Sequence, residues 1–261
     1  MVKSFKVKNS EINDKIEKKL SSILIKKGEF GDYNINLIKN LSKEYNLNKK
    51  LLISLRSQLL KNKVIEKHYL VKKFKSKLIK DYDKFDIISL SKNFDISPLS
   101  IMRMIIKDKY KFKLTENNIQ NLNNYDKKQV ELAIKNDITS QLNQDDANKK
   151  SIQYEKKIER ALLKRNVNFK TQEDLILEQT KKHGHAVITP DFLFDQEIKI
   201  NGQLIKWMEV KNFYGSNIRY FKNKVKKQLK KYQKKWGKGC VVFRYGFNNK
   251  LSFDNNLIIS F

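Results

Sequence analysis

The sequence predicts an α/β protein in two parts: an all-helical N-terminal region, then a domain with a central mixed sheet flanked by helices. Three observations predict it. Glycine and proline are scarce early: residues 1–150 hold only Gly28, Gly31 and Pro98, whereas six of the eight glycines fall at or after Gly184. Apolar residues in the first half recur every three or four positions, the period of an amphipathic helix. After Asn166 that period gives way to short β-branched and aromatic runs bounded by Gly, Asn or Asp. The polar stretch 139–150 reads as a linker, which gives a helical domain at 1–145 and a sheet domain at 151–261.

In the helical part, residues 11–26 carry Ile12, Ile16, Leu20, Ile23 and Leu24 at helical spacing. Residues 34–45 do the same with Ile35, Ile38, Leu41 and Tyr45, and a break at Asn46–Asn48 leads into a second helical run. Two helices joined by a tight turn have the outline of a helix-turn-helix. The outline recurs over 86–110, where Ser97 suits an N-cap and Pro98 the first helical turn. Ile101, Met102, Ile105 and Ile106 then face inward, and Arg103, Lys107 and Lys109 face solvent. A further basic helix is expected over 64–80. An ordinary bundle, a DNA-reading unit and a protein-docking unit would all produce this pattern.

In the sheet part, a helix is expected from Ser151 to about Lys164. Strands follow in HAVITPDFLF, QEIKI, QLIKWMEVKNF, GCVVFRYGF and LIISF. Asn201-Gly202 is a two-residue hairpin signal, and one long basic helix spans about Arg219 to Trp236.

Composition narrows the function. There are 56 Lys and Arg against 28 Asp and Glu, a net charge of +28. A polyanion, nucleic acid first, is the natural partner, although the Lys, Asn and Ile bias of an AT-rich genome adds to the count. With 15 Phe and 11 Tyr the chain is too aromatic for a disordered basic tail. The single cysteine, Cys240, excludes a disulfide framework and a multi-cysteine zinc site, and reads as a buried strand residue. His183 and His185 lack a third ligand of the usual kind. No Gly-rich loop supports nucleotide hydrolysis. No apolar run approaches the ~18 residues of a membrane span, and the first residues lack a signal-peptide core, so neither a membrane nor a secreted protein is expected.

The segment that carries chemistry is ITPDFLFDQEIKINGQLIKWMEVKNF. Alternation along QLIKWMEVK puts Glu209 and Lys211 on one face. If the preceding segment pairs back through the hairpin, Asp191 comes beside Glu209. Adjacent carboxylates repel and persist best with a cation between them. Oxygen-only ligands select Mg²⁺ or Mn²⁺. Lys211, one pleat along, would face the phosphate and the attacking water. These parts suit metal-assisted phosphodiester hydrolysis; the alternative is a surface Glu209–Lys211 ion pair in an unrelated sheet. The following stretch is also unusual: no acid occurs between Glu209 and Asp254, and ten basic residues lie in 219–238. With Tyr220, Phe221, Tyr232 and Trp236 interleaved, it suits a phosphate-backbone contact.

Thr189-Pro190-Asp191, then WMEVKNFYG, a basic helix with Gln228 and Tyr232, and WGKGCVVFRYGF together resemble the TPD-motif family of codanin-interacting-nuclease-like proteins over about 151–248. LSKNFDISPLSIMRMII is similar to a helix-turn-helix segment of that family. The resemblance implies a PD-(D/E)XK restriction-endonuclease-like domain, near the archaeal four-way (Holliday) junction resolvases. It implies that Asp191 is the superfamily's aspartate, Glu209 its second acid and Lys211 its lysine. Val210 would offer a backbone carbonyl to the metal. Glu155 or Glu159, one turn apart in YEKKIERALL, would supply the helix acid, with Glu155 preferred by its distance to the next strand. Gln228 takes the helix polar position, with Tyr232 one turn on. Family members often carry a histidine-rich stretch before this helix; here it reads NIRYF, with Arg219 placed to contact phosphate.

The expected function is a metal-dependent DNA endonuclease selective for branched or junction DNA, a DNA-repair activity. Asp191, Glu209, Glu155 and the Val210 carbonyl would hold Mg²⁺ or Mn²⁺, and Lys211 would assist the water. Arg219, Lys222, Lys226, Gln228, Lys230 and Tyr232, with Arg103 and Lys107, would contact DNA. Resolvases of the superfamily imply a homodimer. A non-catalytic DNA-binding scaffold that docks a protein partner on its helical domain is the rival, and an RNA nuclease would share every residue named. The expected compartment is the cytoplasm in a prokaryotic or archaeal host, nucleus and cytoplasm in a eukaryotic one.

Overall fold

A computed structural model describes residues 2–139 and 144–260, with side chains from 148 onward in the second stretch. The chain forms two compact units: Leu20–Asp145, and Met1–Lys19 together with Asp146–Phe261. No helix among the described residues is long and apolar enough to cross a membrane.

The helices of the first unit are α1 (Asp14–Leu24, which straddles the boundary), α2 (Ile35–Glu44), α3 (Lys49–Lys73), α4 (Lys75–Tyr82), α5 (Ile87–Phe94), α6 (Pro98–Tyr110) and α7 (Asn124–Lys135). Five of these starts are set by side-chain caps. Asn34, Asn48, Asp86, Ser97 and Asn123 each accept a backbone N–H from the first turn. Asp95 closes α5 in the left-handed conformation, which Asp tolerates better than most residues. Ile101, Met102, Ile105 and Ile106 are buried as the periodicity demands, and Arg103 and Lys107 are exposed. Both short-turn helix pairs form, α2 with α3 and α5 with α6.

Three expectations change here. The basic helix expected over 64–80 is instead the second half of the 25-residue α3, followed by α4 after a break at Phe74. The helix expected from residue 11 begins at Asp14, because the Asn13 side chain accepts the Lys15 N–H (2.8 Å) and so sets the helix start. The first residues therefore do not belong to the helical region, which was expected to start at residue 1. They extend as β1 (Ser4–Phe5) and β2 (Glu11–Ile12) into the sheet unit.

That unit continues with α8 (Gln144–Leu163), β3 (Phe169–Thr171), α9 (Gln172–His183), β4 (Phe192–Ile200), β5 (Gln203–Lys211), α10 (Arg219–Trp236), β6 (Cys240–Phe243), β7 (Phe247–Asn248) and β8 (Leu257–Ser260). The linker expected over 139–150 lies partly outside the described residues, and from Gln144 it is helix α8. The main sheet runs β1-β4-β5-β6-β8, with β3 also on β4, and β2 pairs with β7. It is mixed: β3–β4 and β4–β5 are antiparallel, and β1–β4, β5–β6 and β6–β8 are parallel. The protein is thus α/β, with helices on a mixed sheet.

Alternation along β5 sorts its side chains between two cores. Met208 and Val210 pack with Tyr154, Ile158 and Leu162 of α8. Trp207 packs with Val225, Leu229 and Tyr232 of α10. Trp207 also explains Gly239. A Cβ there would lie 2.0 Å from the indole, so only glycine lets β6 begin beside it.

Candidate active site

The β4–β5 hairpin creates the site, and an irregularity inside it sets the geometry. Asn201 and Gly202 both adopt positive φ, as the two-residue turn requires. Near the turn, Ile200 pairs with Gln203 and Ile198 with Ile205; farther along, Leu193 pairs with Trp207 and Phe192 with Met208. Three more residues lie on β4 than on β5 between these registers. Without that shift, Asp191 would oppose position 212, on the other face of the sheet from Glu209. With it, Asp191 stands opposite Glu209.

The contacts follow from this register. The Val210 N–H donates to Asp191 Oδ2 at 2.6 Å. A strand residue presents its N–H and C=O to the same neighbour. The Lys211 carbonyl faces β6, where it accepts from the Arg244 N–H (3.0 Å), so the Val210 carbonyl points to the Asp191 side. Lys211 Nζ donates to Glu209 Oε1 (2.6 Å) and to Gln228 Oε1 (2.9 Å). Gln228 Nε2 donates to Glu209 Oε1 (2.7 Å) and to the Tyr232 hydroxyl (2.9 Å). Tyr232 in turn donates to the Thr189 carbonyl (3.2 Å). Glu209 Oε2 is buried and has no hydrogen-bond partner among the described residues.

Electrostatics mark the same spot. Asp191 is held well above the usual carboxylate range, first by burial and then by the Glu209 charge; the Val210 N–H and Lys211 oppose this, and the Glu155 charge adds to it. Burial and the Glu209 charge also push the Tyr232 phenol up. A buried acid shifted this way beside a second acid is a common mark of a functional site.

The sequence-predicted residues separate into three groups. Asp191, Glu209, Lys211 and Gln228 come together, with the Val210 carbonyl on the Asp191 side. Glu155 bonds Ser151 (3.0 Å), and of the two helix acids it is the one whose charge acts on Asp191. It does not join the other acids as a ligand set: among the described residues no three His, Cys, Asp or Glu side chains form a metal-holding group. Gln228 and Tyr232, expected to contact DNA, bond within the site and also line a groove beside it; Tyr232 packs edge-on against Trp207. Arg219 and Lys230 are exposed. Lys222 bonds Asn217 (3.1 Å) and Lys226 pairs with Asp254 (3.1 Å), on the far edge of α10 from Gln228. Cys240 is buried, which pushes its thiol up.

Besides Gln228 and Tyr232, the α10 residues that border the site are three lysines not among those expected to contact DNA. A groove of about 430 Å³ is lined by Val187, Ile188 and Thr189 on one side and by Lys224, Lys227 and Lys231 on the other, with Gln228 and Tyr232 between. The sequence signal was available, since the apolar spacing Val225, Leu229, Tyr232 fixes which edge of α10 lies beside Gln228.

The donor set fits a hard divalent cation on chemical grounds. It offers two buried carboxylates on one face, a backbone carbonyl on the Asp191 side, and a buried carboxylate oxygen with no hydrogen-bond partner among the described residues.

An α/β chain with an acid pair and a lysine on its central strands is thereby defined. The family model described as "Protein of unknown function TPD sequence-motif" matches residues 122–260, and the chain belongs to this family. It is also 32% identical over 114 residues to Uncharacterized protein L539 of Acanthamoeba polyphaga mimivirus, covering 42% of this chain. The match spans 40% of that relative's length. No solved structure matches significantly.

Proposed function

We propose that the sheet unit is a metal-dependent nuclease of PD-(D/E)XK type that hydrolyses phosphodiester bonds in DNA, with branched or junction DNA as its substrate. The observation that carries this reading is Asp191 set opposite Glu209 by the hairpin's shifted register, with Lys211 on the same face and Glu209 Oε2 buried without a partner. Asp191, Glu209 and the Val210 carbonyl would hold Mg²⁺ or Mn²⁺. When bound, such an ion supplies Lewis-acid polarisation of a phosphoryl oxygen and a more acidic water.

The chain's own residues do the rest. Lys211 presents a fixed ammonium where negative charge develops on the phosphate, a preorganised interaction that needs no rearrangement during reaction. Gln228 fixes Lys211 by bonding both it and Glu209, and Tyr232 fixes the Gln228 amide. Glu155 adds negative charge near Asp191, which strengthens the site's preference for a cation. Arg103 and Lys107 of the helical unit would add sequence-independent backbone contacts.

The test is cleavage of labelled duplex, single strand, flap and four-way junction with Mg²⁺ or Mn²⁺, by the wild type and by Asp191→Ala and Lys211→Ala. Metal-dependent cutting lost in both variants is expected. Binding without cutting, unchanged in either variant, would replace the nuclease by a non-catalytic scaffold.

A further inference from the structure

We infer that one stripe of α10, Tyr220–Lys224–Lys227–Lys231, binds the unpaired strand of a nucleic acid beside the acid pair. The function of the strand there rests on the nuclease reading; the binding itself does not.

Four observations converge. The four positions are spaced i, i+4, i+7 and i+11, a single face of a helix. Lys224, Lys227 and Lys231 line the same groove as Gln228 and Tyr232, and Gln228 bonds both Glu209 and Lys211. Among the described residues none of these three lysines is in an ion pair, whereas Lys226 is committed to Asp254. The segment from 210 to 253 contains no acid that would offset them.

Charge alone would suit a duplex equally well. The apolar part of the surface decides for an unpaired strand. The wall opposite the lysines is Val187 and Ile188, with Val187 55% exposed, and Tyr220 at the head of the stripe is 41% exposed. A duplex shows such a surface only phosphate and sugar, which need cations and not apolar groups. An unpaired strand shows base faces as well. A cationic groove flanked by an exposed aromatic ring is the arrangement that takes phosphates along one side and stacks a base at the end. The stripe runs about 16 Å along the helix at 1.5 Å per residue, long enough for a short run of nucleotides. It would lead an unpaired arm of a branched substrate to the acid pair.

The test uses the full chain carrying Asp191→Asn, in EDTA, so that binding is read without cleavage. Anisotropy of a labelled oligo-dT and of a hairpin duplex is measured over a range of salt. The single strand is expected to bind more tightly than the duplex. The triple variant K224Q/K227Q/K231Q should lower the slope of log K against log salt by about 2, since each single-strand phosphate contact contributes about 0.7. Tyr220→Leu should weaken the single strand about tenfold, the size of one lost stack. The triple variant K222Q/K226Q/K230Q, on the other faces of the same helix, should change the slope far less. Equal effects of the two triple variants, or tighter binding of duplex, would overturn the inference. Cleavage by the wild type with no effect of the stripe removes this inference and leaves the nuclease reading standing. Binding through the stripe with no cleavage under any metal does the reverse.

Discussion

Asp126 of the helical unit and Asp191 of the sheet unit are both buried carboxylates, with opposite electrostatic results. In the helical unit Asp126 has no exposed surface, and it accepts from the Tyr82 hydroxyl (2.8 Å), the Tyr110 hydroxyl (2.6 Å) and Lys109 Nζ (2.7 Å). Burial alone would raise its pKa, but these donors outweigh it and its carboxyl lies below the usual range. Asp95 follows the same pattern, with Lys63, Lys67 and the Gly28 N–H set against burial. In the sheet unit Asp191 has one backbone donor and a nearby lysine, and burial with the Glu209 charge prevails. The comparison teaches where to look for chemistry. A buried acid ringed by donors is a finished piece of architecture. A buried acid pair with a partnerless oxygen lacks positive charge, and a ligand can supply it.

The largest expected effects split along this line. Asp191→Asn should abolish metal-dependent cleavage, a loss of at least about 10²-fold. In metal-free buffer the same variant should be as stable as the wild type or more stable by about 1 kcal/mol. One of two like charges is gone, and the amide oxygen still accepts from the Val210 N–H. Asp126→Asn should behave oppositely and cost about 3 kcal/mol in denaturant unfolding, because Lys109 and two hydroxyls lose their common anion. Equal destabilisation by the two variants would erase the contrast between the units.

A second comparison sharpens the first, because the sheet unit depends on residues far away in sequence. Removing residues 2–12 should destabilise it more than a surface truncation would. The deletion takes away β1, paired to the end of β4 (Phe5 with Ile200), and β2, paired to β7 (Ile12 with Asn248). It also exposes the edge of β4. Proteolysis followed by mass spectrometry should find new cuts in the sheet unit of the truncated protein. Protection equal to that of the full chain would make the N-terminal strands dispensable.

Legibility in the sequence followed the range of the interaction. The hairpin at Asn201-Gly202, helix α10 and the helices capped at Asp86 and Ser97 were readable because each is decided by neighbours, and so was the start, though not the full length, of the helix capped at Asn48. So was the shared face of Glu209 and Lys211, which needs only strand alternation. The meeting of Asp191 with Glu209 was not, since one turn and alternation alone would set Asp191 opposite position 212 on the other face, and their assignment as a pair rested on the family resemblance. Helix α9 went unread although its capping box was in plain view: Thr171 and Asp174 bond each other's backbone N–H groups. The strands β1 and β2 could not be read, since each is two residues long and pairs with a strand far away in sequence, Ser4 with Lys199 and Glu11 with Phe247. The three-residue register shift in β4 was also hidden, because FLFDQEIKI alternates too weakly to show where pairing breaks off. Which lysines of α10 border the groove is a matter of rotation about the helix: Lys224, Lys227 and Lys231 line it, and the apolar residues Val225, Leu229 and Tyr232 that pack on the sheet set that rotation.

The smallest effect tests Glu17, a buried acid of the sheet unit that belongs to neither pattern; Asp14 beside it is also buried but follows Asp126, its carboxyl held down to about 2 by Lys18 and Asn217. Glu17 accepts from the Tyr214 hydroxyl (2.7 Å) and from the Asn217 N–H (3.0 Å). It thereby ties the start of α1 to the loop between β5 and α10. It has donors, as Asp126 does, yet it is raised above 4.5, first by burial and with Asp14 adding negative charge nearby. A raised pKa means that the folded state holds the proton more tightly than the unfolded state. The resulting contribution to stability is complete below about 4.5 and is lost as pH rises through the folded-state value. Glu17→Gln cannot titrate. The stability of the wild type relative to Glu17→Gln should therefore fall as pH is raised from about 4 towards 7, and denaturant midpoints at a series of pH values read it directly. A flat or rising difference would mean that the donors outweigh burial at Glu17, and would place it with Asp126 and Asp95 as a fully compensated acid.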